Sequence, residues 1–122
     1  MANDFKRYTK ANVTTSTGTS SDALYTVAST GSVAMEAVCI GIYLSNKTTT
    51  GVTADIFLDA YNGSSYDVYL VKNATVPAGA SLEVVSGGKI VLQGDGVTND
   101  IVKASCSVAS SIDATISVLE DV

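Results

Sequence analysis

"VTADIFLDAYNGSSYDVYLVK", residues 52–72, decides the fold. Along its first half Val52, Ala54, Ile56, Leu58 and Ala60 alternate with Thr53, Asp55, Phe57, Asp59 and Tyr61. Along its second half Tyr66, Val68 and Leu70 alternate with Asp67, Tyr69 and Val71. Successive side chains of a β-strand point to opposite sides, so a period of two marks a strand with one buried face. Between the two runs stands Asn62-Gly63, a pair that tolerates positive φ and therefore signals a hairpin. The stretch predicts two antiparallel strands.

Outward from this hairpin the same pattern recurs in "ALYTVAS" (23–29), "SLEVV" (81–85), "KIVLQ" (89–93), "DIVKASCSV" (100–108) and "SIDATISVLE" (111–120). In the last of these, Ile112, Ala114, Ile116 and Val118 oppose Asp113, Thr115, Ser117 and Leu119. "AVCIGIYL" (37–44) is apolar on both faces, as expected of a central strand. No segment sustains a helical period, and Val, Ile, Thr and Tyr are abundant, as β-structure prefers. Ser86-Gly87-Gly88 reads as a second hairpin turn. The only proline, Pro77 in "VPAGAS", cannot donate to a sheet ladder. It is expected to set φ for a turn closed at Gly79, after which the chain crosses to "SLEVV". The sum is an all-β fold: an antiparallel β-sandwich of about 7–9 strands, jelly-roll-like or Ig-like. Residues 1–12 form an N-terminal basic arm or a first edge strand, and 13–122 a single β-sandwich domain.

A chain of 122 residues buries roughly two-thirds of the surface its unfolded form exposes, so neither a metal nor a disulfide is needed to hold it. Seven basic residues against twelve acidic ones give a net charge of −5, which argues against nucleic acid as a partner. No apolar run approaches the roughly 20 residues of a membrane span. "MANDFKRYTK" lacks the apolar stretch of a signal peptide, so synthesis in the cytoplasm is expected. Lys6, Arg7 and Lys10 cluster at the start, while Glu120 and Asp121 close the chain. Both groups read as solvated flanks, with the basic arm a candidate for docking on an acidic neighbour.

Histidine is absent, which removes the commonest general base and metal ligand. Many serines are present, with no base to activate one. "GDGVTND" (94–100) and "DAYNGSSYD" (59–67) place carboxylates among glycines, but neither has the spacing of a calcium loop. No glycine run continues into the Gly-Lys-Ser/Thr of a phosphate loop. Accordingly no catalytic, cofactor or metal residue is assigned. Cys39 and Cys106 fall in separate strands, without the tryptophan that an immunoglobulin disulfide packs against, and Ala104 stands where the corner tyrosine would be. They read as free buried thiols. The sequons at Asn12, Asn46, Asn62 and Asn73 read as turn and strand-end residues. Outward-pointing Phe57, Tyr61 and Tyr69 are candidates either for an exposed interface or for a second covered face. Tyr61, Tyr66 and Tyr69 also suit a carbohydrate-binding module, as stacking platforms.

Four stretches in order, "FKRYTKANV", "VCIGIYLSNKT", "YLVKNATVPAGASLEVVSGGKIVL" and "ASSIDATISVLED", cover well over half the chain. Together they resemble a family of small virion structural proteins of tailed phages, especially those of marine bacteria and cyanobacteria. The third stretch is the most specific, and "YNGSSYD" before "VYLVKNA" is a longer insert than the resemblance contains. The resemblance implies a non-enzymatic β-sandwich of the phage particle. On that basis the expected function is capsid decoration or cement, with a neck, tail or fibre-base component as the alternative. The expected partners are the major capsid protein or other virion proteins and further copies of the chain, a trimer being favoured. The candidate interface residues are Lys6, Arg7, Lys10, Phe57, Tyr61 and Tyr69.

Overall fold

Strands β4 (Val52–Asp59) and β5 (Val68–Val76) pair antiparallel, with Phe57 opposite Tyr69 and Val52 opposite Val76. They belong to a computed structural model that describes residues 3–27, 35–85 and 89–121. The remaining strands among these residues are β1 (Asn3–Lys10), β2 (Asp22–Thr26), β3 (Met35–Asn46), β6 (Ser81–Glu83), β7 (Ile90–Gly94), β8 (Ile101–Cys106) and β9 (Ile112–Asp121). They form two antiparallel sheets, β1-β9-β3-β6 with β7 also on β3, and β2-β8-β4-β5. The fold is an all-β, antiparallel β-sandwich.

The β4–β5 connection is longer than the two-residue hairpin that Asn62-Gly63 suggested. Residues 60–67 form it, with Gly63 at φ 118° and a 3₁₀ turn over Ser64–Tyr66. The Ala60 amide donates to Asp67 Oδ1 at 2.7 Å and closes the loop. Tyr66 is thereby moved out of the strand in which its alternation had placed it. On β5 the ladder skips a residue twice, and Asn73 takes a left-handed φ of 54° at one of these bulges. Pro77 ends β5 as the first residue of a turn: the Ala80 amide donates to its carbonyl at 3.1 Å, and Gly79 supplies φ 66°. Pro77 therefore stops the strand, and Gly79 alone supplies the unusual dihedral.

β6 and β7 do not pair with each other as a hairpin would. Both lie on one edge of the twelve-residue β3, β6 beside Tyr43–Ser45 and β7 beside Met35–Cys39. One long strand thus offers its edge to two short ones in succession. The Ser86-Gly87-Gly88 turn lies outside the described residues.

The core fills the space between the sheets. Ile112, Ala114, Ile116 and Val118 of β9 and Ala54 and Ile56 of β4 are buried, as their alternation requires. β3 reaches the same end by a different route. Its ladder with β9 shifts between Cys39 and Gly41, leaving Ile40 as an extra residue. Ala37 and Cys39 face the core before this bulge and Ile42 and Leu44 after it, so the buried positions change parity. Burying each large aliphatic side chain contributes about 1.5–3 kcal/mol relative to exposure.

Buried polar groups link the layers. Asp100 accepts from the Tyr61 amide (2.8 Å) and the Gln93 amide (2.9 Å), joining the β4–β5 connection to β7 across the sandwich. Asn46 donates to the carbonyls of Thr50 and Val76 and accepts from the Thr48 amide, holding the turn between β3 and β4. Asn12 takes a φ of 55° ahead of buried Val13. Asn12, Asn46 and Asn62 thus serve turns and strand ends, whereas Asn73 lies within β5 at its bulge. Cys39 and Cys106 are buried free thiols on opposite sheets.

Candidate protein-binding face

Among the described residues β1 is the outermost strand of its sheet and pairs with β9 alone. Its register sets the direction of each side chain. Lys6, Tyr8 and Lys10 stand opposite Val118, Ile116 and Ala114, whose side chains fill the core; Phe5, Arg7 and Thr9 stand opposite Leu119, Ser117 and Thr115 on the outer face. Lys6, Arg7 and Lys10 are all exposed. Cations therefore project on both sides of this strand, and none of the three joins an ion pair among the described residues.

On the outer face the ladders align one apolar row across four strands. Phe5 lies opposite Leu119, Leu119 opposite Val38, and Val38 opposite Val91. The two ends are the open positions: Phe5 is 77% exposed and Val91 57%. Ile40, the bulged residue, and Tyr43 are exposed beside the row, and Tyr43 curls to within 3.5 Å of where a Gly41 side chain would begin. A hydrogen bond to Glu83 raises the Tyr43 hydroxyl above its ordinary value. Glu36 and Gln93 flank the row on one side and Arg7 and Ser117 on the other, with Thr9, Thr115, Tyr43 and Glu83 one row further out. An apolar row with a polar rim is the pattern of a protein-binding surface.

Glu120 is not a solvated flank. The alternation that buries Ile116 and Val118 also turns Glu120 inward, where it is 4% exposed. Tyr25 of β2 donates to Glu120 Oε2 at 2.6 Å, and Tyr8 of β1 donates to the same oxygen at 3.3 Å. The two rings meet at 5.0 Å between centroids. Burial, then the Glu120 carboxylate, push the Tyr25 hydroxyl far above its ordinary value. This cluster ties the edge strand that carries Phe5 and the three cations to the opposite sheet. The side chain of Asp121 lies outside the described residues.

The aromatic candidates divide. Phe57 is 8% exposed, so it packs a covered part of the second sheet's outer face and does not form an open patch. Tyr69 meets it edge-on at 5.0 Å, and the Lys72 ammonium sits 4.7 Å from the Tyr69 ring centre. Lys103, opposite Phe57 in the ladder, donates to the Thr19 carbonyl at 2.7 Å and pairs with Asp59 at 2.9 Å, drawing the 3₁₀ turn Gly18–Ser20 over this end of the face. Tyr61 lies beyond the end of β4, its backbone bound to Asp100 and Thr98. No ring contact among the described residues joins Tyr61 or Tyr66 to Tyr69. Three tyrosines that sequence spacing could group as a sugar platform stand on separate elements.

Asp95 is the centre of a turn, accepting from the Val97 and Thr98 amides. Among the described residues no three His, Cys, Asp or Glu side chains converge as a metal site would need, and no helix is long and apolar enough to cross a membrane.

Phe5, Leu119, Val38 and Val91 were the residues that sequence reasoning missed. A signal was available: Leu119 breaks the polar-out alternation of β9, and "AVCIGIYL" is apolar on its outer side too.

No protein-family model, no curated protein and no solved structure matches this chain. What stands on its own geometry is an antiparallel β-sandwich with one apolar, cation-edged outer face.

Proposed function

We propose that this chain is an accessory structural protein of a tailed-phage particle, a capsid decoration or cement protein that acts by adhesion and not by turnover. The observation that carries the adhesive part is the outer-face apolar row Phe5–Leu119–Val38–Val91, open at both ends and lying across four strands of one sheet. The resemblance of the sequence to small virion structural proteins supports the particle. The major capsid protein is the proposed partner.

Covering the open ends of the row is worth modest energy. Full burial of a Phe or Val contributes about 1.5–3 kcal/mol, and both are already partly covered. One copy would therefore bind weakly through the row alone. A shell repeats the same contact at every symmetric position, and copies that touch one another gain avidity without further contacts. Weak repeated adhesion suits a cement protein.

Counting copies of the chain in purified virions tests this reading. Hundreds of copies per particle are expected for decoration. A few to a few dozen would move the protein to the neck, tail or fibre base, and none would remove it from the virion.

A further inference from the structure

The free edge of β1 carries a second piece of recognition, one that rests on the protein-binding reading above and specifies its partner. The eight residues of β1 pair with β9 along one side, and among the described residues no strand pairs with the other. Residues 4–10 are exposed, so among the described residues every second N–H and C=O along the other side faces outward, open to an added strand. Edge pairing of this kind supplies affinity through the main chain, and side chains decide which strand is accepted.

Here the side chains have one sign. β1 bears Lys6, Arg7 and Lys10 against Asp4, a net of +2 (three minus one), in a chain whose total is −5. Lys6 and Lys10 lie on the core side of the strand and Arg7 on the outer side, so an incoming strand meets a cation whichever way its own side chains alternate. Lysines at an edge, and charges turned toward the core side, are the usual means of preventing indiscriminate edge pairing. They act by like-charge repulsion against another basic strand and by stranding charge against an apolar one. Neither penalty applies to an acidic strand.

Pairing of β1 with a second β1 is the main rival. About Arg7 it places Arg7 against Arg7 at the centre, with Asp4 against Lys10 only at the two ends, and about Lys6 it places Lys6 against Lys6 with Phe5 against Arg7. About Phe5 it brings Asp4 to Lys6, but only five residues on each side then overlap. Directly opposed like charges destabilise a ladder. Phe5, 77% exposed at the end of the apolar row, adds the remaining preference: one apolar residue opposite it would extend the row by a strand. The shallow depression beside it is lined by Phe5, Lys6, Arg7, Ile40, Ser117 and Val118.

We propose that the free edge of β1 accepts an extended acidic segment of a partner protein as an added strand, with an apolar residue over Phe5 and carboxylates over Lys6, Arg7 and Lys10. The probe is the peptide acetyl-Glu-Val-Thr-Glu-Glu-Val-Thr-amide, which in antiparallel register sets Glu against Lys10, Arg7 and Lys6 and Val against Phe5, with a Lys-for-Glu peptide as control, titrated into the isotopically labelled full chain. The acidic peptide should shift the backbone amides of residues 3–10 and slow their hydrogen exchange. The control should bind at least about tenfold more weakly. Raising salt from about 0.01 to about 1 M shrinks the screening length from about 30 to about 3 Å and should weaken the acidic peptide by a similar factor. Arg7→Glu should lower its affinity several-fold, and Lys6→Glu/Arg7→Glu/Lys10→Glu should reverse the preference between the two peptides. Equal binding of both peptides, shifts confined to β5 or β7, or no binding at millimolar peptide would overturn the proposal. So would a β1-mediated dimer in sedimentation that the peptide does not displace. If this edge fails while charged substitutions in the Val38–Leu119 row still abolish attachment to particles, the adhesive face survives without it.

Discussion

Tyr25 and Glu120 join the two sheets through a 2.6 Å hydrogen bond between a β2 hydroxyl and a β9 carboxylate, both nearly shut off from solvent. A carboxylate in such a place is stabilising only while its donors remain. Tyr8 supplies the second donor, more weakly, from the edge strand. The cluster therefore couples the integrity of the core to the position of β1.

Tyr25→Phe should destabilise the fold by about 1–3 kcal/mol, because it removes one donor and leaves the buried carboxylate with the longer bond to Tyr8. Tyr8→Phe should cost less, since its bond is longer and its ring more exposed. Urea unfolding with both single variants, Glu120→Gln and the Tyr25→Phe/Glu120→Gln pair measures the coupling. Additive losses would show that the charge of Glu120 adds nothing to its bond with Tyr25.

Alkaline pH should act through the same hydroxyls. The ionisation of Tyr25 is raised by burial and by Glu120, and that of Tyr8 is raised by the same two causes. The unfolded chain releases these protons near pH 10 and the folded chain only at higher pH. Their contribution is fully present below about pH 10 and falls as pH rises above it. Stability measured from pH 8 to 11 should decline from about pH 10 upward, and less steeply in Tyr25→Phe. An unchanged slope in that variant would remove Tyr25 from the account.

Asp100→Ala should cost about 2–4 kcal/mol, because two backbone donors, those of Tyr61 and Gln93, lose a charged acceptor at once. Asp100→Asn should cost less, as one amide oxygen can still accept. Thermal unfolding of both variants checks the order.

Neither thiol should react with an aromatic disulfide reagent while the protein is folded. Burial raises the Cys39 thiol, and the Cys106 thiol is buried with its Sγ near the carbonyls of Val13 and Val108. Two thiols should be titrated per chain in denaturant and close to none in its absence. Rapid reaction of the native protein would show an opening that this packing does not provide.

Much of this architecture can be read from the amino-acid order. In β4 and β9 an uninterrupted alternation made Ile56 and Ile116 core residues on inspection. The same rule, carried one step further along β9, turns Glu120 inward; its charge and its place near the chain end disguised it. β3 was legible as a central strand for only part of the true reason. Its apolar run combines a parity change at the Ile40 bulge with an outer face that really is apolar. A bulge comes from the pairing of two strands and leaves no mark in one. The row from Phe5 to Val91 was hidden for a related cause, since its four members come from four strands distant in sequence and meet only through register. Phe57 and Tyr69 were rightly placed on one face, but the cover drawn over it by Lys103 and Thr19 depends on contacts far apart in the chain.

Attachment to particles with the row charged is the most direct test of the central claim. Val38→Asp and Leu119→Asp charge half-buried outer-face positions without entering the core, so a modest fall in thermal midpoint is expected and folding is verified for each variant. Copies retained on virions, counted against the unaltered chain, should fall at least about tenfold. Full occupancy with either aspartate in place, on a protein shown to be folded, would contradict the claim that this face holds the chain to its partner.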